Sequence, residues 1–248
     1  MASCWAACLG NCSNKQSREH LVTQSLFLGD SIKVQGFPWC KTKPVEIGLA
    51  SATAKILCQK HNNDLSVIDS AGKEASEVFR ELVRQLEARV KLKPRPWTVK
   101  KFKLDGYKLE RWFLKTLINL CCDREYPIGR DSNVKGRPSD RLVRIAYGLE
   151  KFKGNAGLYL VTGAQTRSTI DEKLFFIPLL RDNVEAGVFV FYTIMLMVYL
   201  EKEGVNQESL NGFVFNGVDL GKALITLHGP DYTFKHKKYV SHKLLFRW

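Results

Sequence analysis

Ser17-Arg18-Glu19-His20 and, about forty residues on, Cys58-Gln59-Lys60-His61-Asn62-Asn63-Asp64-Leu65-Ser66-Val67-Ile68-Asp69 are the two stretches that decide how this chain is read. Thiol and imidazole groups at short spacings suit a tetrahedral zinc ion, and a carboxylate beside an imidazole suits a hard cation and an activated water. No other segment joins these two chemistries.

Structural zinc takes four soft or borderline ligands from two short-spaced pairs that the fold brings together. Cys58 and His61 are three apart, a common knuckle spacing, and Cys8 and Cys12 are four apart. These four are the expected ligands. Cys4 is an alternative to either member of the looser pair, and Cys40 is a further contender. Five of the seven cysteines fall within the first 58 residues. That clustering fits metal ligation by reduced thiols better than a disulfide framework.

The ordered set Cys…Cys…Ser-Arg-Glu-His, then Cys-x-x-His-Asn-x-x-Leu-Ser-x-x-Asp, resembles the HNH endonuclease family with its ββα-metal fold, over about the first 75 residues. The resemblance implies phosphodiester hydrolysis with one catalytic divalent cation, magnesium or manganese. Carried onto this chain, His20 is the general base, Glu19 binds that cation, and Asn62 completes the catalytic set. The chain departs from the pattern in having His61 where a cysteine is usual, and no histidine follows at the usual ligand position. Asn62, Asn63 and Asp69 are the candidates for the second cation ligand. Asp69 lies seven residues beyond Asn62, on the same face of a helix, but also stands where a helix beginning near Ser70 takes its N-cap. Carboxylate and amide oxygens suit a hard cation, and imidazole titrates near neutrality and serves as a base without large tuning.

With a formal charge of +13 over 248 residues and a pI near 9.4, the chain suits a polyanionic partner, nucleic acid first and DNA in particular. Residues 1 to 69 carry seven Lys and Arg against five Asp and Glu, so most of the excess lies beyond them. The opening Met1-Ala2-Ser3-Cys4-Trp5 has no basic region followed by an apolar run, which predicts no secretory signal and a cytoplasmic protein. Ala186 to Leu200 is too short for a membrane span and reads as core. Two rival classes remain. One is a non-catalytic, zinc-stabilised nucleic-acid-binding protein with a decayed HNH site; the other is a protein-interaction domain or toxin component, with a protein partner or a homodimer.

The expected fold is α+β: a zinc-stapled HNH-like module over residues 1–90, and a larger basic α+β domain with an antiparallel sheet over 91–248. Ser31 to Gly36 alternates as a short strand. Val78, Leu82, Leu86 and Val90 predict a helix from Asp69 to Val90, and Leu109, Trp112, Phe113, Leu117 and Leu120 a second, with Glu110 and Arg111 as surface groups. Vicinal Cys121 and Cys122 read as core. Lys91 to Pro96 is a linker, and the basic run through Lys103, with Trp97 and Phe102 interleaved, is a candidate nucleic-acid strip. After a loop from Gly129 to Ser139, short β-rich runs dominate, at 157–162, 173–180, 187–200, 212–216, 223–227 and 244–246.

Overall fold

A computed structural model describes residues 4–35, 43, 45–90, 100–122, 126–154, 156–161, 173–180, 182–191, 194–201, 214–215, 218–219, 224–226, 232–236 and 240–248. Cys40, Lys91 to Pro96, Trp97 and His228 lie outside them.

The fold is α+β. In chain order the strands are β1 (Glu19–His20), β2 (Ser31–Gln35), β3 (Val45–Gly48), β4 (Thr53–Ala54), β5 (Lys101–Asp105), β6 (Gly157–Val161), β7 (Lys173–Leu180), β8 (Val184–Phe191), β9 (Ile194–Tyr199), β10 (Val214–Phe215), β11 (Val218–Asp219), β12 (Leu224–Thr226), β13 (Tyr232–His236) and β14 (Val240–Arg247). The α-helices are α1 (Gln59–Val90), α2 (Gly106–Cys121) and α3 (Asp140–Ala146).

Seven strands form the main sheet in the order β12-β6-β9-β8-β7-β2-β3, antiparallel except where β2 runs parallel to β7. A second sheet, β13-β14-β5, joins β14 to β5 in parallel. The run 187–200 is two antiparallel strands, β8 and β9, and every residue of β9 is buried, which accounts for its unbroken apolar reading. The residue-90 boundary falls at the end of α1. Nevertheless β2 and β3 from the first part extend the sheet of the second, and one core cluster runs from Trp5 and Leu26 through Trp112 and Phe113 to Phe189.

Helix α1 begins ten residues before Asp69. Leu65, Ile68, Ala75, Phe79 and Leu82 are buried at three-, four- and seven-residue spacings, so the apolar stripe already starts beyond the zinc-type pair. Asp69 is therefore inside the helix and not its N-cap. Helix α2 is capped by Asp105, whose carboxylate accepts from Lys108 N at 3.0 Å, and it is buried on nearly every face. Glu110 and Arg111 consequently face protein and not water. Glu110 accepts the backbone N–H of Leu158 at 2.9 Å, and Arg111 donates to the carbonyl of Ala146 at 3.0 Å. Cys121 and Cys122 are buried as expected. Helix α3, where the sequence suggested loop and strand, is a seven-residue element capped by Ser139. It is too short to show a helical period.

The two long helices meet where Gly72 of α1 lies against the indole of Trp112 of α2. A Cβ at position 72 would stand 2.3 Å from the ring, and the indole is tied by Nε1–H to Thr23 Oγ1 at 2.9 Å. Gly72→Ala is expected to destabilise by about 1–3 kcal/mol through overpacking, although alanine is the better helix former. Urea denaturation checks this; an unchanged or raised midpoint would contradict it.

Candidate functional site

The N-terminal segment is laid along the start of α1 by backbone pairing. Trp5 N–H donates to Ile56 O at 2.9 Å, Ser17 N–H to Leu57 O at 3.0 Å, and Gln59 N–H to Lys15 O at 2.8 Å. Between them the chain turns back through Gly10 and Asn11, both at positive φ, 75° and 51°. Asparagine tolerates this left-handed conformation better than other non-glycine residues. The reversal returns Cys12 to Cys4.

Cys4, Cys12, Cys58 and His61 converge there, with all four ligand atoms within 4.8 Å of one another. The three sulfurs stand 3.3, 3.5 and 3.3 Å from His61 Nδ1, for Cys4, Cys12 and Cys58 respectively. Zinc bonds of about 2.3 Å to sulfur and 2.0 Å to nitrogen put tetrahedral ligands roughly 3.5–3.8 Å apart, close to the sulfur–nitrogen separations here, so this donor set can hold a zinc ion. Burial lifts the Cys58 thiol, but hydrogen bonds from the His61 and Ser13 backbones and the Ser13 hydroxyl outweigh it, bringing its pKa to about 7. Burial lifts Cys4 to about 11, and burial, with Lys60 nearby, lowers His61. One ready thiolate and a neutral imidazole are the forms that metal recruits first. The His61 ring also hydrogen-bonds the Gly10 backbone and meets the Tyr147 ring edge-on at 5.7 Å, while Tyr147 O–H donates to His61 O at 2.9 Å. Such outer contacts fix the orientation of a metal-binding histidine.

Cys8 is not in this cluster. It is exposed, in the short helical turn Ala7–Leu9, with its thiol hydrogen-bonded to Asp140, and the buried Cys4 takes its place. The sequence spacing favoured the pair closest in number. The strand-like tie of Trp5 to Ile56 instead carries Cys4 to the knuckle.

Four residues before Cys58, β4 ends; it pairs antiparallel with β1, Glu19 opposite Ala54 and His20 opposite Thr53. Glu19 is buried, at 5 % exposure, and its Oε1 accepts from Lys115 Nζ at 2.8 Å and from Asn119 Nδ2 at 3.2 Å. Lys115, itself 3 % exposed, also donates to both oxygens of Asp69, at 2.8 and 3.0 Å, and Thr23 Oγ1–H donates to Asp69 Oδ1 at 2.8 Å. Asp69 is thus the counter-ion of a buried lysine, with both oxygens engaged. Glu19 Oε2 makes no hydrogen bond among the described residues. Asn119 Oδ1 accepts from Trp5 Nε1–H at 3.1 Å, so a buried polar line runs from the residue after Cys4, through α2, to Glu19.

His20 Nε2 is 3.0 Å from Gln24 Oε1, which accepts its proton, and Nδ1 is buried without a partner among the described residues. In that tautomer Nδ1 carries the free lone pair. Asn62 occupies the first turn of α1, half-buried, its N–H donating to Cys58 O at 2.9 Å, and Asn63 beside it is exposed. Sequence reasoning missed Lys115, Asn119, Trp5 and Tyr147. The first two face the site at the i and i+4 positions of α2, where a lysine and an asparagine on an otherwise apolar helical face were the available signal.

No protein-family model matches this chain, and no curated protein or solved structure is similar to it. Among the described residues no helix is long and apolar enough to cross a membrane.

Proposed function

We propose that this protein is a zinc-stapled endonuclease of the ββα type, hydrolysing nucleic-acid phosphodiester bonds with His20 as general base. The observation that supports this is the continuity of the unit: the Glu19-His20 strand pairs with a strand that runs straight into Cys58, His61 and Asn62. His20 is the imidazole that takes a proton from the attacking water, with Nε2 held on Gln24 and no partner for Nδ1 among the described residues. Glu19 Oε2 and the Asn62 side chain are the oxygen donors that suit a magnesium or manganese ion. When bound, such an ion supplies charge stabilisation to the phosphate and the leaving oxygen. Lys115 and Asn119 hold Glu19 in one orientation, as outer hydrogen bonds commonly do for ligating carboxylates.

One observation favours a second reading, a zinc-stabilised nucleic-acid-binding protein without catalysis. Lys115 already neutralises charge between Glu19 and Asp69, where a catalytic cation would otherwise be drawn. Plasmid cleavage separates the two. The zinc-loaded protein is expected to nick or cut DNA with magnesium or manganese, and His20→Ala to lower the rate at least about 100-fold while keeping its zinc. Binding of DNA without cleavage under either metal would overturn the endonuclease reading in favour of the second.

A further inference from the structure

The ladder of β1 and β4 has a second side. Arg18 precedes Glu19 and Lys55 follows Ala54, so in this antiparallel pair both leave the same end of the ladder. Arg18, Thr53, Ala54 and Lys55 line a surface cleft of about 450 Å³. Arg18 and Lys55 are exposed, and neither makes a hydrogen bond or salt bridge among the described residues. Two like charges lining one cleft repel each other, and an anion seated between them reverses that cost. Thr53 adds a hydroxyl donor to the same cleft.

We propose that this cleft is a phosphate subsite, in which Arg18 and Lys55 grip the backbone of a nucleic-acid strand next to His20. The choice of nucleic acid rests on the endonuclease reading and on the chain's charge of +13; the anion chemistry of the cleft stands without it. The charge count alone placed the grip beyond residue 69. These two residues bring it to the candidate catalytic strand.

The test is fluorescence anisotropy with a labelled oligonucleotide and no added magnesium or manganese, over a range of salt concentrations. The double variant Arg18→Gln/Lys55→Gln is expected to bind at least about 10-fold more weakly and to flatten the slope of log K against log salt by about 2, one for each lost phosphate contact. Lys73→Gln, on the exposed side of α1, is the control and is expected to change neither by a comparable amount. Equal binding and equal slope in the double variant would overturn the subsite. Displacement of the oligonucleotide by polyglutamate as readily as by unlabelled DNA would overturn the nucleic-acid assignment. Because binding is read without magnesium or manganese, a failure of hydrolysis and a failure of the subsite give different results.

Discussion

Cys4→Ser is expected to lose its zinc, and Cys8→Ser to keep it. Both cysteines lie within the same few residues, both are short thiols, and the spacing in sequence favours Cys8. In the fold only Cys4 brings its sulfur to the cluster, 3.3 Å from His61 Nδ1, while Cys8 turns outward to Asp140. Structural zinc in small modules contributes roughly 10–16 kcal/mol of binding energy that is also folding energy, so removing one of four ligands has a large effect. The N-terminal segment has little else to hold it: its backbone ties to residues 56–59 are few, and Trp5 and Cys4 are its principal buried side chains. Metal analysis after gel filtration checks this, with about one zinc per chain in wild type and Cys8→Ser and far less in Cys4→Ser. The reverse pattern, or equal retention, would rule out this ligand set.

Lys115→Met is the second change with a large expected effect. The ammonium is enclosed by Glu19 and Asp69, and methionine of similar length would leave two carboxylates, one of them fully buried, without their counter-charge. Breaking a buried ion pair from one side costs about 3–5 kcal/mol, which for a chain of this size lowers Tm by roughly 6–20 °C. The triple variant Glu19→Gln/Lys115→Met/Asp69→Asn is expected to recover much of that loss, because the whole charge group is removed together. A loss below about 1 kcal/mol in the single variant would show that the triad is not the internal ion pair described here.

What could be read from the sequence follows from how local each signal is. The α+β class, β7, and the core position of Cys121 and Cys122 all came from short-range pattern, apolar alternation or apolar runs between turn residues. Helix α1 was found but begun ten residues late, because Asp69 mimics an N-cap and the polar run from Lys60 to Asp64 masks the first turn. The solvent face of that turn is held by a Lys60–Asp64 pair four residues apart, a helix signal in itself. Cys12, Cys58 and His61 were recognisable as a set from spacing alone. Cys4 was not preferred, since its place depends on Trp5 pairing with Ile56, some fifty residues away.

Charged residues inside helices were the other gap. Glu110 and Arg111 look like an ordinary solvated face, and nothing local separates them from one, while the local sign at Lys115 is its place with Asn119 on an otherwise apolar face of α2. Each is instead satisfied by a distant partner: Leu158, Ala146, and the pair Glu19 and Asp69. Tertiary contacts of this kind leave no periodicity in the chain. They nonetheless bear on the candidate site, because they engage both oxygens of Asp69 and one oxygen of Glu19.

The candidate site is tied to the Cys4, Cys12, Cys58 and His61 cluster, since β4 ends four residues before Cys58 and Trp5, beside Cys4, holds Asn119 against Glu19. X-ray absorption at the zinc edge of the purified protein tests it most directly. The expected spectrum is one zinc with three sulfurs at about 2.3 Å and one nitrogen at about 2.0 Å. Protein that folds without zinc, or a zinc shell dominated by oxygen or by two sulfurs and two nitrogens, would contradict it.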